Sequence, residues 1–399
     1  MDLVVQPTHK SGMCVARVAA DTAAMAPGLT AERVRRDVDV LARAGLDLET
    51  FLEEATESVR RAVPWAAACL ATHDPGTHLL TSARKYGHLR EVDSHDQEFA
   101  LIEYGTVEPT AFYEIATAAR PAAGVHLTHG GEIERSGRMS SFMVPLFGFG
   151  DEARLLFREN GRAWGAMALF RGSDDTAFAD DDVAFLASLS AMFARGVRGG
   201  LLARMAASPA PEQHGPVVLI VGGDDRILQR SAGADERIRG LSVGEGSCDP
   251  TGVVGAVVGA ARRYARGESA VPARARVRSD SGIWLVVHAS PLSGAGDRVG
   301  EVVVTIEEAR PPEIVALVVA AFDLTQRERD VTQLVLQGVD TKEIAATLHV
   351  SSYTVQDHLK SVFDKADVRS RRELISRVYF DQYVPRMGTE LGSGGWFAG

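Results

Sequence analysis

Between Ser351 and Ala366 two kinds of side chain interleave at helical spacing. Val355, Leu359, Val362 and Ala366 recur every three or four residues, and Ser352, Tyr353, Gln356, Asp357 and Lys360 fall between them. On a helix the first set turns inward and the second faces outward. Those outward groups offer a mixed hydrogen-bonding face: an amide that donates and accepts, a carboxylate that accepts, and an ammonium that donates. Other chemistry-bearing residues offer less. His126 and His129 have the H-x-x-H spacing of metal ligands but lie in a loop without a clear third ligand, so no metal is expected. Gly222-Gly223-Asp224-Asp225 suits a hairpin turn, and no glycine-rich stretch carries the lysine of a P-loop. No Ser/His/Asp or Cys/His set stands out; catalytic residues and cofactors are both expected to be none, and the chain reads as a non-enzyme. Cys14, Cys69 and Cys248 are far apart, without metal or redox spacing, and read as buried or incidental thiols of a reducing compartment.

Four short helices must position the interleaved residues. Thr325 can cap a first helix that buries Val331, Leu334 and Val335 and ends at Gly338. Asp340-Thr341-Lys342-Glu343 opens a second, Thr341 to Leu348, which buries Ile344, Ala345 and Leu348. Val350 fills the turn, Ser351 or Ser352 starts the third helix, and Ser370-Arg371-Arg372-Glu373 opens a fourth that buries Leu374, Ile375 and Val378. Capped helices with a tight turn between the second and third form a helix-turn-helix module.

The stretch Leu324 to Leu374 resembles the LuxR/FixJ/GerE-type DNA-binding domain. The pattern extends over Leu324, Thr325, Arg327, Glu328, Gly338, Lys342, Ile344, Ala345, Leu348, Val350, Ser351, Thr354, Val355, His358, Leu359, Lys365, Val368, Ser370 and Arg371. The resemblance implies a transcriptional regulator of double-stranded DNA whose third helix enters the major groove. Ser352, Tyr353, Gln356, Asp357 and Lys360 would then meet bases, while Lys342, Thr354, Lys365 and Arg369 meet phosphates. His358 is expected to be packed rather than base-reading. The family often has a basic residue where Gln356 stands and an apolar one where Asp357 stands, which points to a different preferred site. Residues 323–386 hold ten acidic and ten basic side chains, so one module should bind only modestly. A homodimer on two half-sites is the expected remedy, through the fourth helix, Arg371 to Phe380; RNA polymerase is a further partner such a regulator permits.

The bulk composition fits this. Apolar residues make up 45% and charged residues 24%, an ordinary globular balance, and the formal net charge of −10 would repel DNA if evenly spread. Three of the five lysines, Lys342, Lys360 and Lys365, fall near the C-terminus. No apolar run is long enough for a membrane span and the N-terminus lacks a secretory pattern, so a cytoplasmic location without membrane contact is expected.

The expected architecture is multidomain α+β. Residues 1–30 read as a mobile extension, 31–206 as a sensory domain resembling GAF domains, and 215–308 as a smaller α+β unit resembling the PAS fold. Residues 309–322 form a linker helix, 323–384 the all-α four-helix DNA-binding module, and 385–399 a flexible tail. In the GAF-like domain, strands are expected at Trp65–Thr72, His78–Ala83, Ser141–Phe147, Ala153–Arg158 and Ala163–Arg171, the last two joined by an Asn160-Gly161 hairpin turn. A helix capped by Asp180-Asp181-Asp182 and running to Met205 is long enough to suggest a dimerising or signal-carrying connector. Neither upstream unit shows a receiver's acidic cluster. Trp65, Phe142, Trp164 and Trp284 are candidates for lining a small-molecule effector pocket, although aromatic residues in strands more often serve the core. A one-component regulator is the leading expectation. Upstream domains that serve only dimerisation or docking are the alternative, and an enzyme fused to a DNA-binding tail a remote one.

Overall fold

The computed structural model describes residues 27–90, 95–205, 215–241, 248–293 and 299–380. The tail at 385–399, the Ser208-Pro209-Ala210-Pro211 boundary and all but the last residues of the 1–30 extension lie outside them. Within the stretch expected as an extension, Pro27 already begins a helix, α1 (Pro27–Arg43). Asp47 caps α2 (Leu48–Arg60) by accepting from the Thr50 amide at 3.0 Å, and Phe51, Leu52, Ala55 and Val59 form its buried stripe. The strands β1 (Ala67–His73) and β2 (Leu80–Gly87) then pair antiparallel. Four short helices follow, with a three-residue strand among them: α3 (Asp96–Gly105), α4 (Phe112–Thr117), β3 (Ala122–Gly124), α5 (Val125–Thr128) and α6 (Val144–Phe147). The hairpin β4 (Phe149–Glu159) and β5 (Arg162–Gly172) turns through Asn160 and Gly161, both at positive φ, as the sequence requires. The sheet order is β2-β1-β5-β4-β3.

The sheet is covered on both faces. Leu155, Phe157, Met167 and Leu169 join one apolar cluster with α1 and α2, while Leu156, Ala166, Ala168 and Phe170 join another beneath the short helices. The expected strand at Ser141–Phe147 is instead a π-helical turn, Met139–Met143, running into α6. Alternation of Phe142, Val144 and Leu146 imitates a strand, yet Met139, Phe142 and Met143 are the buried residues, and Val144 and Leu146 stay exposed. The long helix α7 (Asp180–Met205) has the expected bounds but a different role. Val183, Leu186, Leu189, Phe193, Ala194 and Val197 are buried in the core of the first unit. It approaches α2 so closely that a methyl at Gly196 would stand 2.1 Å from the Phe51 ring. It is a core helix of the unit, not a connector projecting from it.

The middle unit repeats the strand order. The elements β6 (Val217–Val221), β7 (Ile227–Arg230), α8 (Ala234–Arg239), α9 (Thr251–Ala265), β8 (Arg274–Arg278), β9 (Trp284–Pro291) and β10 (Val302–Glu308) form a second sheet ordered β7-β6-β10-β9-β8. Gly222 to Asp225 is the tight turn of the β6–β7 hairpin, with the Gly222 amide donating to the Arg226 carbonyl at 2.8 Å. Three glycines of α9 form a seam against α3: a methyl at Gly255 would lie 2.5 Å from the Gln97 carbonyl oxygen, and one at Gly259 2.9 Å from the Gly105 nitrogen. Arg276 adds a bidentate pair to the buried Asp74 of the first unit, Nε to Oδ2 at 2.7 Å and Nη2 to Oδ1 at 2.5 Å.

Helix α10 (Pro311–Ala321) occupies the expected linker but is packed rather than extended through solvent. Ile314, Leu317, Val318 and Ala321 are buried in the same cluster as the first unit and the C-terminal helices. Those helices are α11 (Gln326–Leu336), α12 (Thr341–Leu348), α13 (Ser352–Ala366) and α14 (Arg371–Ile375), the last continued by a π-helical turn to Phe380. Among the described residues no helix is long and apolar enough to cross a membrane.

Candidate nucleic-acid interface

Each helix of the C-terminal module starts where its cap predicts. The Thr325 hydroxyl accepts from the Glu328 amide at 3.3 Å, and Glu328 returns the bond from the Thr325 amide at 2.7 Å. Asp340 accepts from the Lys342 and Glu343 amides, Ser351 from the Thr354 amide, and Ser370 from the Glu373 amide. The turn between α12 and α13 closes with His349 in the left-handed conformation. Ile344, Val355, Leu359, Val362, Ala366 and Leu374 fill the interior.

With its inner face fixed, α13 presents Ser352, Tyr353, Gln356, Asp357 and Lys360 together on the outside, all exposed; Tyr353 retains 73% of its accessible surface. His358 is half-buried. The four residues expected at phosphates are placed unequally. Lys342 and Arg369 are exposed at the starts of α12 and α14, whereas Thr354 is half-buried, its hydroxyl 2.8 Å from that of Ser351. Lys365 turns toward the module itself, its Nζ 2.6 Å from Glu328 Oε2.

Glu328 is a residue whose role sequence reasoning missed, although it stood in the matched pattern. Its carboxylate accepts from Ser361 Oγ at 2.6 Å as well as from Lys365 and the Thr325 amide, tying α11 to α13. Burial alone would push the carboxyl up, but these donors outweigh it and bring it down to about 2 from 4.5. A depressed carboxyl stabilises the folded state fully above its unfolded value and loses that contribution as pH falls through its folded value. Glu328→Gln is therefore expected to weaken the module by about 2–3 kcal/mol at neutral pH, after discounting the half-exposed lysine. Amide exchange across α11 and α13 in the full chain reads this out. The difference from the parent should close between pH 4.5 and about 2; a pH-independent difference would contradict the assignment.

Contacts with the first unit enter the module at its beginning. Asp323 accepts from Asn160 Nδ2 and Arg198 Nη1, each at 2.7 Å, so the β4–β5 turn and α7 both hold it. Arg371 donates to the Val339 carbonyl and to Thr341 Oγ1, securing the fourth helix. That helix buries Leu374 and Val378, and its π-helical end meets α10.

The four aromatic residues expected to line an effector pocket do not share one. Trp65 packs beneath the Arg60 guanidinium, 4.5 Å from its ring centroid. Phe142 lies beyond the sheet, against Phe99 and Phe147. Trp164 and Trp284 do line a common cleft where the first and middle units meet Leu317 of α10. A second cleft between those units is lined by Cys69, Asp96, Phe99, Tyr104, Phe112 and Cys248, among others.

Beside that cleft lies a buried ionic cluster. Arg138 pairs with Glu152 at 2.8 Å, Glu108 at 3.2 Å and Glu103 at 3.4 Å, while Arg154 reaches Glu103 at 2.8 Å. The Arg154 guanidinium also covers Phe112 at 3.7 Å. Glu152 and Arg154, two apart and both fully buried in β4, were the visible signal for it.

Sequence comparison with known proteins falls on the C-terminal module. The profile described as bacterial regulatory proteins, luxR family, matches residues 323–378. The transcriptional regulatory protein DesR of Bacillus subtilis is 42% identical over 57 residues, which cover 14% of this chain and 29% of DesR. The spore germination protein GerE of the same species is 40% identical over 52 residues, 13% of this chain and 70% of GerE. The chain thus spans less than a third of DesR and most of GerE. Among solved structures, a phycoerythrobilin-bound GAF domain from a cyanobacterial phytochrome is 14% identical, covering 43% of this chain and 96% of that domain at a TM-score of 0.31.

Proposed function

Because the chain belongs to the luxR family of bacterial regulatory proteins, we propose that it is a one-component, cytoplasmic transcriptional regulator of double-stranded DNA, acting as a homodimer. Ser352, Tyr353, Gln356, Asp357 and Lys360 read base edges in the major groove, and Lys342, Thr354 and Arg369 hold phosphates. Lys365 shares its charge between phosphate and Glu328. The first unit is GAF-like and the middle unit PAS-like, and a signal received there shifts the DNA-binding equilibrium through α10 and Asp323. The observation that carries this reading is the exposed polar face of α13 on a fully capped, internally packed helix.

Lys360→Ala is expected to weaken binding by the full chain and to lower the salt slope by about one. Gln356→Ala is expected to change the preferred base at one position per half-site, a discrimination of about 1–3 kcal/mol. Binding titrations at several salt concentrations and selection from random duplexes measure the two effects. Unchanged affinity in the first or an unchanged selected site in the second would contradict the contact assignments.

A further inference from the structure

We propose that Cys69 and Cys248 form a peroxide-oxidisable thiol pair whose disulfide staples the first unit to the middle one. The two cysteines are distant in sequence, but the fold brings them to one cleft. Cys69 lies on β1 opposite Lys85 of β2, and Ala71 and Ala83 continue the same face. The chain leading into α9 docks on that face, with the Cys248 amide donating to the Ala83 carbonyl at 2.9 Å. Both cysteines line the cleft between the units and both are half-buried, so small solutes can reach them. The Cys69 sulfur lies close enough to Cys248 to perturb the ionisation of its thiol.

The surroundings divide the roles. The neighbouring sulfur and burial push the Cys248 thiol far above its ordinary range, so it keeps its proton and acts second. Lys85 lies near both sulfurs and is held by Asp96, Nζ to Oδ1 at 2.6 Å. Its ammonium is placed to compensate negative charge as a thiolate forms. In the first step Cys69, losing its proton to solvent, attacks hydrogen peroxide: an S–O bond forms, the O–O bond breaks, and the departing hydroxide takes up a proton as water. In the second, the Cys248 sulfur attacks the sulfenic acid, an S–S bond forms, and the hydroxyl leaves as water with the thiol proton. The pair loses two electrons and the peroxide is reduced to two waters. A thiol reductant returns the disulfide to two thiols by exchange and is itself oxidised to a disulfide, as suits a regulatory rather than a structural bridge.

The staple would lie where the seam is tightest. The Asp249 amide, next to Cys248, donates to Asp96 Oδ2 at 3.0 Å at the start of α3, and α9 follows directly into its glycine contacts with α3. Oxidation then restrains α3 and α9 against each other. This deepens the proposed function by naming a class of signal, and its chemistry is measured without reference to DNA.

The test uses the full chain carrying Cys14→Ser, treated with hydrogen peroxide in slight excess. Expected are loss of both remaining thiols, a Cys69–Cys248 linked peptide on non-reducing mass mapping, and recovery with dithiothreitol. Amide exchange in α3 and α9 should slow at least several-fold on oxidation, and added Cys69→Ser or Cys248→Ser should abolish both effects. Failure to find the linked peptide, cross-links only between chains, or a linked peptide with unchanged exchange would overturn the proposal. DNA affinity measured on the same samples separates the two readings: a disulfide that leaves sequence-specific binding absent in both redox states counts against the proposed function and not against the thiol pair.

Discussion

Replacing Arg138 with alanine is expected to destabilise the first unit by about 3–5 kcal/mol, enough to unfold a marginally stable domain. Arg138 is 1% exposed and stands between Glu103, Glu108 and Glu152, with Arg154 the other cation of the cluster. Its removal leaves three buried carboxylates against one guanidinium and takes away the donors that Arg138 gave them. The loss should shrink as pH falls, because the orphaned carboxyls can then take up protons. Urea unfolding of the full chain, followed by the fluorescence of buried Trp65 and Trp164, measures the effect. A midpoint within the range of an ordinary surface substitution would show that the cluster does not stabilise the unit.

Gly255→Leu should have the next largest effect, and it acts between units. The backbone of α3 lies where the new side chain must go, 2.5 Å from the first added carbon, and a backbone carbonyl cannot move aside as a side-chain tip can. The glycine seam should open, exposing Val253, Val257 and Leu101 to water and taking with it much of the order of α3. Amide exchange in α3 and α9 is expected to rise by one or more orders of magnitude while α11 to α13 remain protected. Parental exchange in both helices would mean that the seam does not hold the units together.

What could be read in the sequence was what local chemistry determines. Thr325, Asp340, Ser351 and Ser370 cap their helices because each side chain meets an amide only two or three residues away. Asn160-Gly161 turns because both residues adopt positive φ. The outward face of α13 followed from the period of its inward one. Patterns failed where two structures share them: Phe142, Val144 and Leu146 alternate like a strand inside a helical turn. The length of α7 suggested a connector because nothing in its own sequence reveals that Gly196 and Gly200 admit Phe51 and Leu48. Contacts distant in sequence were hidden altogether. Asp74 with Arg276, Cys69 with Cys248 and Glu328 with Lys365 meet only after the sheets and helices have packed. The four aromatic pocket candidates were chosen by residue type alone, and packing distributes them over different sites.

The central claim, that α13 reads DNA sequence in the intact chain, is tested most directly by selecting genomic duplexes with the full-length protein and with its Gln356→Ala/Lys360→Ala variant at one fixed salt concentration. The parent is expected to enrich fragments sharing a two-half-site motif, and the variant to lose that enrichment while keeping weak, salt-sensitive, sequence-independent binding. If the parent enriches no motif, or the variant recovers the same fragments with the same affinity, α13 is not the reading element.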